Sequence, residues 1–123
     1  TTFFDNNGAQ GNMFDVLPKR DMMVHKLDLH IATSGPTIVE VWMKLGTHVS
    51  FENDLSGWSR RVTLGVEAKG LDSVTSVDVG SIPLLAHELH SFYVFLLPGK
   101  LRYTNGVGVG SIVAANDDLI IYE

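Results

Sequence analysis

The chain has 123 residues, which is enough for one domain with a core that needs no disulfide or metal ion to hold it. Its formal net charge is -5 and its nine Lys and Arg residues are scattered, which excludes nucleic acid as an expected partner. It has no cysteine and therefore no thiolate chemistry, and no apolar run approaches the roughly 18 residues of a membrane-spanning helix.

The first half of the chain is predicted to consist of short strands and polar turns. An apolar arm at residues 1–4 precedes Asp5-Asn6-Asn7-Gly8, a strong turn signal. A second turn is predicted at residues 33–36, and residues 46–57 form a long polar loop without a clear period. Side chains that alternate between two faces predict strands at residues 22–31 and 37–44, and residues 12–17 can form a strand that stops at Pro18.

The second half continues this pattern. Residues 58–66 alternate regularly, which places Trp58 and Arg60 on the same predicted face as Val62 and Leu64. Residues 84–89 are ambiguous and are compatible with one helical turn. The further strands are predicted at residues 73–79, 89–97, 100–104, 111–115 and 119–122.

The stretch at residues 89–97 is predicted to be the central strand. It ends at Pro98-Gly99, is too short for a typical helix and is rich in aromatic and β-branched residues. Both of its faces are apolar, so we expect a core on one face and a loop, a second layer or a neighbouring molecule on the other.

About eight or nine short strands without a long helix predict an all-β domain, an antiparallel β-sandwich with a jelly-roll-like topology, over residues 1–123. The predicted core consists of Leu27, Leu29, Val39, Val41, Val62, Leu64, Phe92, Val94 and Leu96.

Several segments spread over nearly the whole chain form a recognisable pattern. They are DNNG at 5–8, GNMFDV at 11–16, FE and SGW between 51 and 58, FYV at 92–94, LRYTNG at 101–106 and NDDL at 116–119. Together they resemble an uncharacterised β-rich module of secreted and cell-surface proteins of diatoms and marine bacteria. The resemblance implies an extracellular module, often one part of a longer protein, and brings no catalytic residues. Such modules usually continue, so we expect either further residues after Glu123 or a strand supplied by another chain.

Acidic and amide residues in the predicted loops are candidate calcium ligands. Calcium takes six to eight oxygens from carboxylates, amides and backbone carbonyls. The alternative is that Asn, Asp and Gly only form turns here. The candidate ligands are Asp5, Asn7, Asp117 and Asp118, followed by Glu52 and Asp54.

Trp42 is a candidate ligand-binding residue, because it shares its strand face with Glu40 and Lys44. An exposed aromatic ring between polar groups can stack on a sugar or anchor an interface, whereas the alternative is that Trp42 packs under a loop. The sequence shows neither a serine elbow nor paired carboxylates suited to acid and base catalysis, so we do not expect an enzyme.

The sequence therefore favours a non-catalytic structural or adhesive module of an extracellular surface. The arm at residues 1–4 and the strand at residues 119–122 are apolar, so we expect self-association in which the arm, or a segment after Glu123, adds a strand to a neighbouring copy and builds a surface layer or filament. The alternative is that both ends pair within their own sandwich and the protein is a monomer. The alternative function is a carbohydrate-binding, lectin-like module that depends on calcium.

Overall fold

The computed structural model of this chain describes residues 7–123. Within that range the regular structure is antiparallel β, apart from one 3-10 turn at Leu55–Gly57. The prediction of an all-β fold is therefore confirmed. The strands are β1 (Asn7–Ala9), β2 (Gly11–Pro18), β3 (Met22–His30), β4 (Ser34–Leu45), β5 (Ser59–Lys69), β6 (Val74–Leu84), β7 (His90–Leu97), β8 (Leu101–Tyr103), β9 (Ile112–Ala115) and β10 (Leu119–Tyr122).

Strands β1 to β8 have the nested pairing of a jelly roll. β4 pairs with β5, β3 with β6, β2 with β7 and β1 with β8. The first four strands therefore pair in reverse order with the next four, and these pairs are distributed over the two layers of the sandwich. β4 also pairs with β7, and the β9–β10 hairpin is added to the side of β2. The result is a six-stranded sheet in the order β5-β4-β7-β2-β10-β9.

The opposing layer consists of two strand pairs, β3 with β6 and β1 with β8. A bridge between Ile31 and Leu101 and a hydrogen bond from the Ala32 N–H to the Lys100 carbonyl (2.8 Å) join the end of β3 to β8. Packing of this layer on the six-stranded sheet makes the predicted antiparallel sandwich. The described residues contain no helix that is long and apolar enough to cross a membrane.

The core between the two layers contains the residues predicted for it. Val39, Val41, Phe92, Val94 and Leu96 are buried, whereas Leu27, Leu29, Val62 and Leu64 are partly buried and pack against them. β6 contributes more than its sequence suggested, because it continues beyond the predicted end at Val79. Its buried apolar residues are Val77, Val79, Ile82 and Leu84.

β7 is the central strand that the sequence predicted, since it pairs with β4 on one side and β2 on the other. The side chains of its inner face, Phe92, Val94 and Leu96, are at most 2% exposed. The outer face is only partly covered: Tyr93 and Phe95 are half-buried, and Leu97 is exposed.

One prediction of local structure was wrong, and one ambiguous segment is now assigned. The turn predicted at residues 33–36 lies largely within β4, where Pro36 pairs with Glu67 of β5. Proline is tolerated there because β4 has only one pairing partner at that point, the pairing with β7 beginning at Ile38. The ambiguous segment at residues 84–89 contains no helical turn: β6 runs on to Leu84, and a non-helical turn with His87 at φ 63° follows it.

Candidate functional site

A β-bulge between β4 and β5 decides which side chains reach the outer face of the six-stranded sheet. Val41 pairs with Val62 but Trp42 pairs with Arg60, so Arg61 is an extra residue in β5. The bulge puts Arg60 on the outer face with Trp42, while Val62 stays on the core face. The prediction of one face shared by Trp58, Arg60 and Val62 was therefore wrong.

The outer face carries a continuous patch of aromatic and apolar side chains, which we call the aromatic platform. Cross-strand pairing places Trp42 beside Tyr93, Glu40 beside Phe95 and Ile38 beside Leu97. With Arg60 of β5, these side chains form one surface of the sheet. The aromatic platform consists of Ile38, Glu40, Trp42, Arg60, Tyr93, Phe95 and Leu97.

Trp42, which the sequence marked as a candidate ligand-binding residue, lies beside Tyr93 at one end of this surface and is half-buried. Its indole Nε1 donates a hydrogen bond to Oε2 of Glu40 (3.0 Å). The guanidinium of Arg60 lies 5.8 Å from the centre of the indole ring and 3.4 Å from Oε1 of Glu40. The ring is thus held at its edge by a carboxylate and flanked by a cation.

Tyr93 lies next to Trp42 and keeps its proton over a wide pH range. Burial raises the pKa of the Tyr93 hydroxyl, and the nearby Glu40 carboxylate raises this pKa further. The hydroxyl is therefore a neutral hydrogen-bonding group at ordinary pH.

The rings of Tyr93 and Phe95 lean over Gly11 of β2. A β-carbon at Gly11 would lie 2.6 Å from Cε2 of Tyr93 and 3.0 Å from Cδ2 of Phe95. The missing side chain at Gly11 therefore gives these rings their place on the sheet.

Next to Ile38 the outer face contains an open hollow of about 520 Å³. Its walls are Ile38, Leu97 and Pro36, with Glu67 as the carboxylate nearby and Gly65 opposite Ile38. A β-carbon at Gly65 would have no atom within 4 Å, so the hollow depends on the absence of a side chain there.

The other end of the platform is bounded by the loop between β4 and β5, residues 46–58, which we call the wall loop. Its Phe51 ring lies 3.9 Å from Nζ of Lys44, and Trp58 makes an edge-to-face contact with Tyr93 (6.1 Å between ring centres). The indole N–H of Trp58 donates to the Phe51 carbonyl (3.2 Å), and the ring is buried. The wall loop is therefore packed against the outer face.

A buried polar cluster fixes the start of the wall loop to the sheet. The Asp15 carboxylate accepts hydrogen bonds from the Thr47 hydroxyl (2.6 Å), the His48 N–H (2.9 Å) and the Ser91 hydroxyl (2.8 Å). Nδ1 of His48 lies 2.7 Å from the same carboxylate. We call Asp15, Thr47, His48 and Ser91 the Asp15 cluster.

The electrostatics of the Asp15 cluster favour an ionised carboxylate. Burial alone would raise the pKa of Asp15, but the hydrogen bonds from Thr47, His48 and Ser91 outweigh it and lower the pKa below its ordinary value. Ser91 contacts Asp15 and the Gly46 carbonyl rather than the ring of His48, and it is fully buried. The cluster therefore lacks the contact between nucleophile and base that acyl transfer requires.

Sequence reasoning missed the Asp15 cluster. Asp15 and Ser91 are 76 positions apart in the sequence, and they meet only because β2 and β7 are neighbouring strands. Asp15 falls within an apolar strand, and that placement was the one available hint of a buried carboxylate with partners.

The candidate calcium ligands lie in separate elements. Asp5 lies outside the described residues, and so does the side chain of Asn7, the first residue of β1. Asp117 and Asp118 form the turn between β9 and β10, where Asp118 makes an exposed ion pair with Arg20 (2.9 Å).

Glu52 and Asp54 are exposed in the wall loop, where Asp54 caps the 3-10 turn through a bond from the Ser56 N–H (2.9 Å). Among residues 7–123 no three His, Asp or Glu side chains come together as a metal site. Calcium binding at these positions stays a prediction.

Neither protein-family models nor curated proteins give a match to this sequence. The resemblance to the module of diatoms and marine bacteria therefore stays a prediction.

Proposed function

We propose that the chain is a non-catalytic extracellular adhesive module that binds polysaccharide through the aromatic platform. The observation that carries this proposal is the half-buried Trp42 ring, held at its edge by Glu40 and flanked by Arg60 and Tyr93. The extracellular location rests on the resemblance of the sequence to secreted modules.

The chemistry of a sugar matches this arrangement. The faces of a pyranose ring present C–H groups, which pack on aromatic rings, and its edges present hydroxyl groups, which need donors and acceptors. Trp42 and Tyr93 supply the rings, Glu40 supplies an acceptor next to Trp42, and Arg60 supplies a donor at the border of the same surface. The Arg60 side chain is 55% exposed, so it can contact a ligand without a change in the backbone of β5.

The shape of the surface favours a polymer over a small enclosed ligand. The platform runs along β4 from Trp42 to Ile38 and continues into the open hollow beside Gly65. The four residue steps from Ile38 to Trp42 span about 13 Å at about 3.3 Å per residue, which accommodates more than one sugar unit. The platform therefore fits an extended segment of a chain.

The test is a depletion assay on insoluble cellulose, chitin and mixed β-glucan, with a glycan array for soluble ligands. We expect saturable binding that Trp42→Ala weakens about tenfold, or about 1.4 kcal/mol. Met23→Ala is the matched control, because Met23 is 49% exposed on β3 of the opposite layer. A chain that binds none of these glycans, or a Trp42→Ala variant that binds as well as the wild type, would contradict the proposal.

Calcium enters the proposal as the expected cofactor of the acidic loops. Glu52 and Asp54 belong to the wall loop, so an ion bound there would order the residues next to Tyr93. Repeating the depletion assay with calcium and with a chelator should then show tighter binding in calcium. Equal polysaccharide binding with calcium and with the chelator would show that calcium is not a cofactor of binding, and the aromatic platform alone would then account for it.

A further inference from the structure

The four strands at the margins of the two layers differ in how well they are protected against pairing with another chain. β5 carries Arg60, Arg61, Glu67 and Lys69 and the bulge, and β1 is only three residues long. β6 contains Pro83 within the strand. Charges, bulges, prolines and short length are the usual means of blunting an edge.

β9 lacks charge and proline. Its four residues, Ile112, Val113, Ala114 and Ala115, are all exposed, and within residues 7–123 it pairs only with β10. β9 is short and has a bulge at Val113, but Ala114 and Ala115 beside the bulge pair regularly and carry no charge. The apolar strand at the C-terminal end, β10, is enclosed between β2 and β9, so it pairs within its own sandwich.

The backbone of β9 offers hydrogen-bonding groups on its free side. The Asn116 N–H donates to the Leu119 carbonyl (3.0 Å), which makes these two a hydrogen-bonded pair. Pairs alternate along an antiparallel ladder, so the neighbouring Ala115–Ile120 pair is not hydrogen-bonded. The N–H and C=O of Ala115 therefore point away from β10, toward the space where a further strand would lie.

The charge of the chain restricts which partner fits this edge. Fourteen acidic against nine basic residues make two copies repel each other over most of their surfaces. Residues 103–116 are the longest uncharged run, 14 residues, and they include β9. Two copies that meet at this segment avoid the contact of like charges that other edges would impose.

We infer that two copies of this chain pair through β9, strand against strand and antiparallel, independently of what the aromatic platform binds. An antiparallel pairing of identical strands is self-complementary, because each Ala115 offers the partner a donor and an acceptor. The apolar side chains around the edge are covered at the same time; these are Val107, Val109, Ile112 and Val113, which are 51% to 92% exposed. Such an interface closes on itself and ends at the dimer.

The dimer is expected to be weak. A contact through four strand residues and one loop falls in the class of small interfaces, below about 1,200 Å² of total buried area. Association should therefore depend on concentration and be visible only in concentrated protein.

Sedimentation equilibrium over a wide concentration range tests the inference. The wild type should pass from monomer to dimer as its concentration rises. Ala115→Lys places two like charges where the β9 strands of the two copies meet. Ala115→Pro removes the outward N–H but leaves the hydrogen bonds between β9 and β10 intact. Both variants should weaken association at least tenfold. Leu85→Lys is the matched control, since Leu85 is 55% exposed in the turn after β6, and it should dimerise like the wild type.

Melting temperatures of all variants show whether the fold is intact. A wild type that stays monomeric at every concentration would overturn the inference. So would variants of Ala115 that are folded and dimerise like the wild type, or growth of the wild type into species larger than the dimer.

Discussion

At the scale of single residues, Asp15 is the side chain with the most partners at the outer face. It is 4% exposed and accepts bonds from Thr47, His48 and Ser91. A buried carboxylate with this many donors is stable because the donors replace the water that it lost. Its removal leaves those donors buried without an acceptor.

We therefore predict that Asp15→Ala lowers the free energy of unfolding by roughly 2–4 kcal/mol, since several bonds to a charged group are lost and polar groups are left unpaired. Urea unfolding followed by circular dichroism measures this change. The control is Asp117→Ala in the exposed β9–β10 turn, which should stay within about 0.5 kcal/mol of the wild type. A loss at Asp15 no larger than the loss at Asp117 would show that the Asp15 cluster does not stabilise the fold.

At the scale of elements, the strands were predictable and their exact faces were not. Alternation located β3, β4 and β5, because the period of two is a property of each strand alone. β7 was located by its short apolar run rich in aromatic and β-branched residues. The bulge at Arg61 was not predictable, since one extra residue is defined only by the register of two strands that meet in space.

The candidate site was predictable only in part for the same reason. Trp42 was identified because Glu40 and Lys44, two positions before and after it, lie on the same face of its own strand. Its neighbours Tyr93 and Arg60 come from other strands, and their contact with it depends on the order β5-β4-β7. Single-strand patterns contain no information on that order.

Two glycines on the outer face make a matched test of how the platform is built. A β-carbon at Gly11 would meet the Tyr93 ring at 2.6 Å and the Val94 carbonyl at 3.0 Å, whereas one at Gly65 would meet nothing within 4 Å. We predict that Gly11→Ala costs about 1–3 kcal/mol, because the rings or the backbone must move. Gly65→Ala should be neutral or slightly stabilising, since glycine weakens a strand interior.

Thermal unfolding of both variants measures the difference, and near-ultraviolet circular dichroism reports on the environment of Tyr93. Equal stability of Gly11→Ala and Gly65→Ala would mean that the aromatic rings can move aside at no cost.

At the scale of the whole molecule, the nested pairing of β1 to β8 connects the site to the stability of the sandwich. Asp15 lies on β2 and Ser91 on β7, while Thr47 and His48 follow β4 directly. One carboxylate therefore joins two neighbouring strands of the six-stranded sheet to the wall loop. Its ionisation should consequently be visible in the stability of the entire domain.

The pH dependence of that stability is the last prediction. The pKa of Asp15 is lower in the folded chain than its ordinary value of about 3.9, so the unfolded chain binds the proton more tightly. The resulting contribution to stability is complete above about pH 5 and is lost as the pH falls through the folded pKa. Other carboxylates also titrate in this range, so the wild type must be compared with Asp15→Asn, which keeps the shape of the side chain but carries no charge.

The difference in unfolding free energy between the two proteins should be largest at pH 5 to 6 and shrink steadily below about pH 4. Urea unfolding at closely spaced pH values from about 2 to 6 measures it. A difference that stays constant over this range would mean that Asp15 has the same pKa in both states, in contradiction to the hydrogen bonds that its carboxylate accepts.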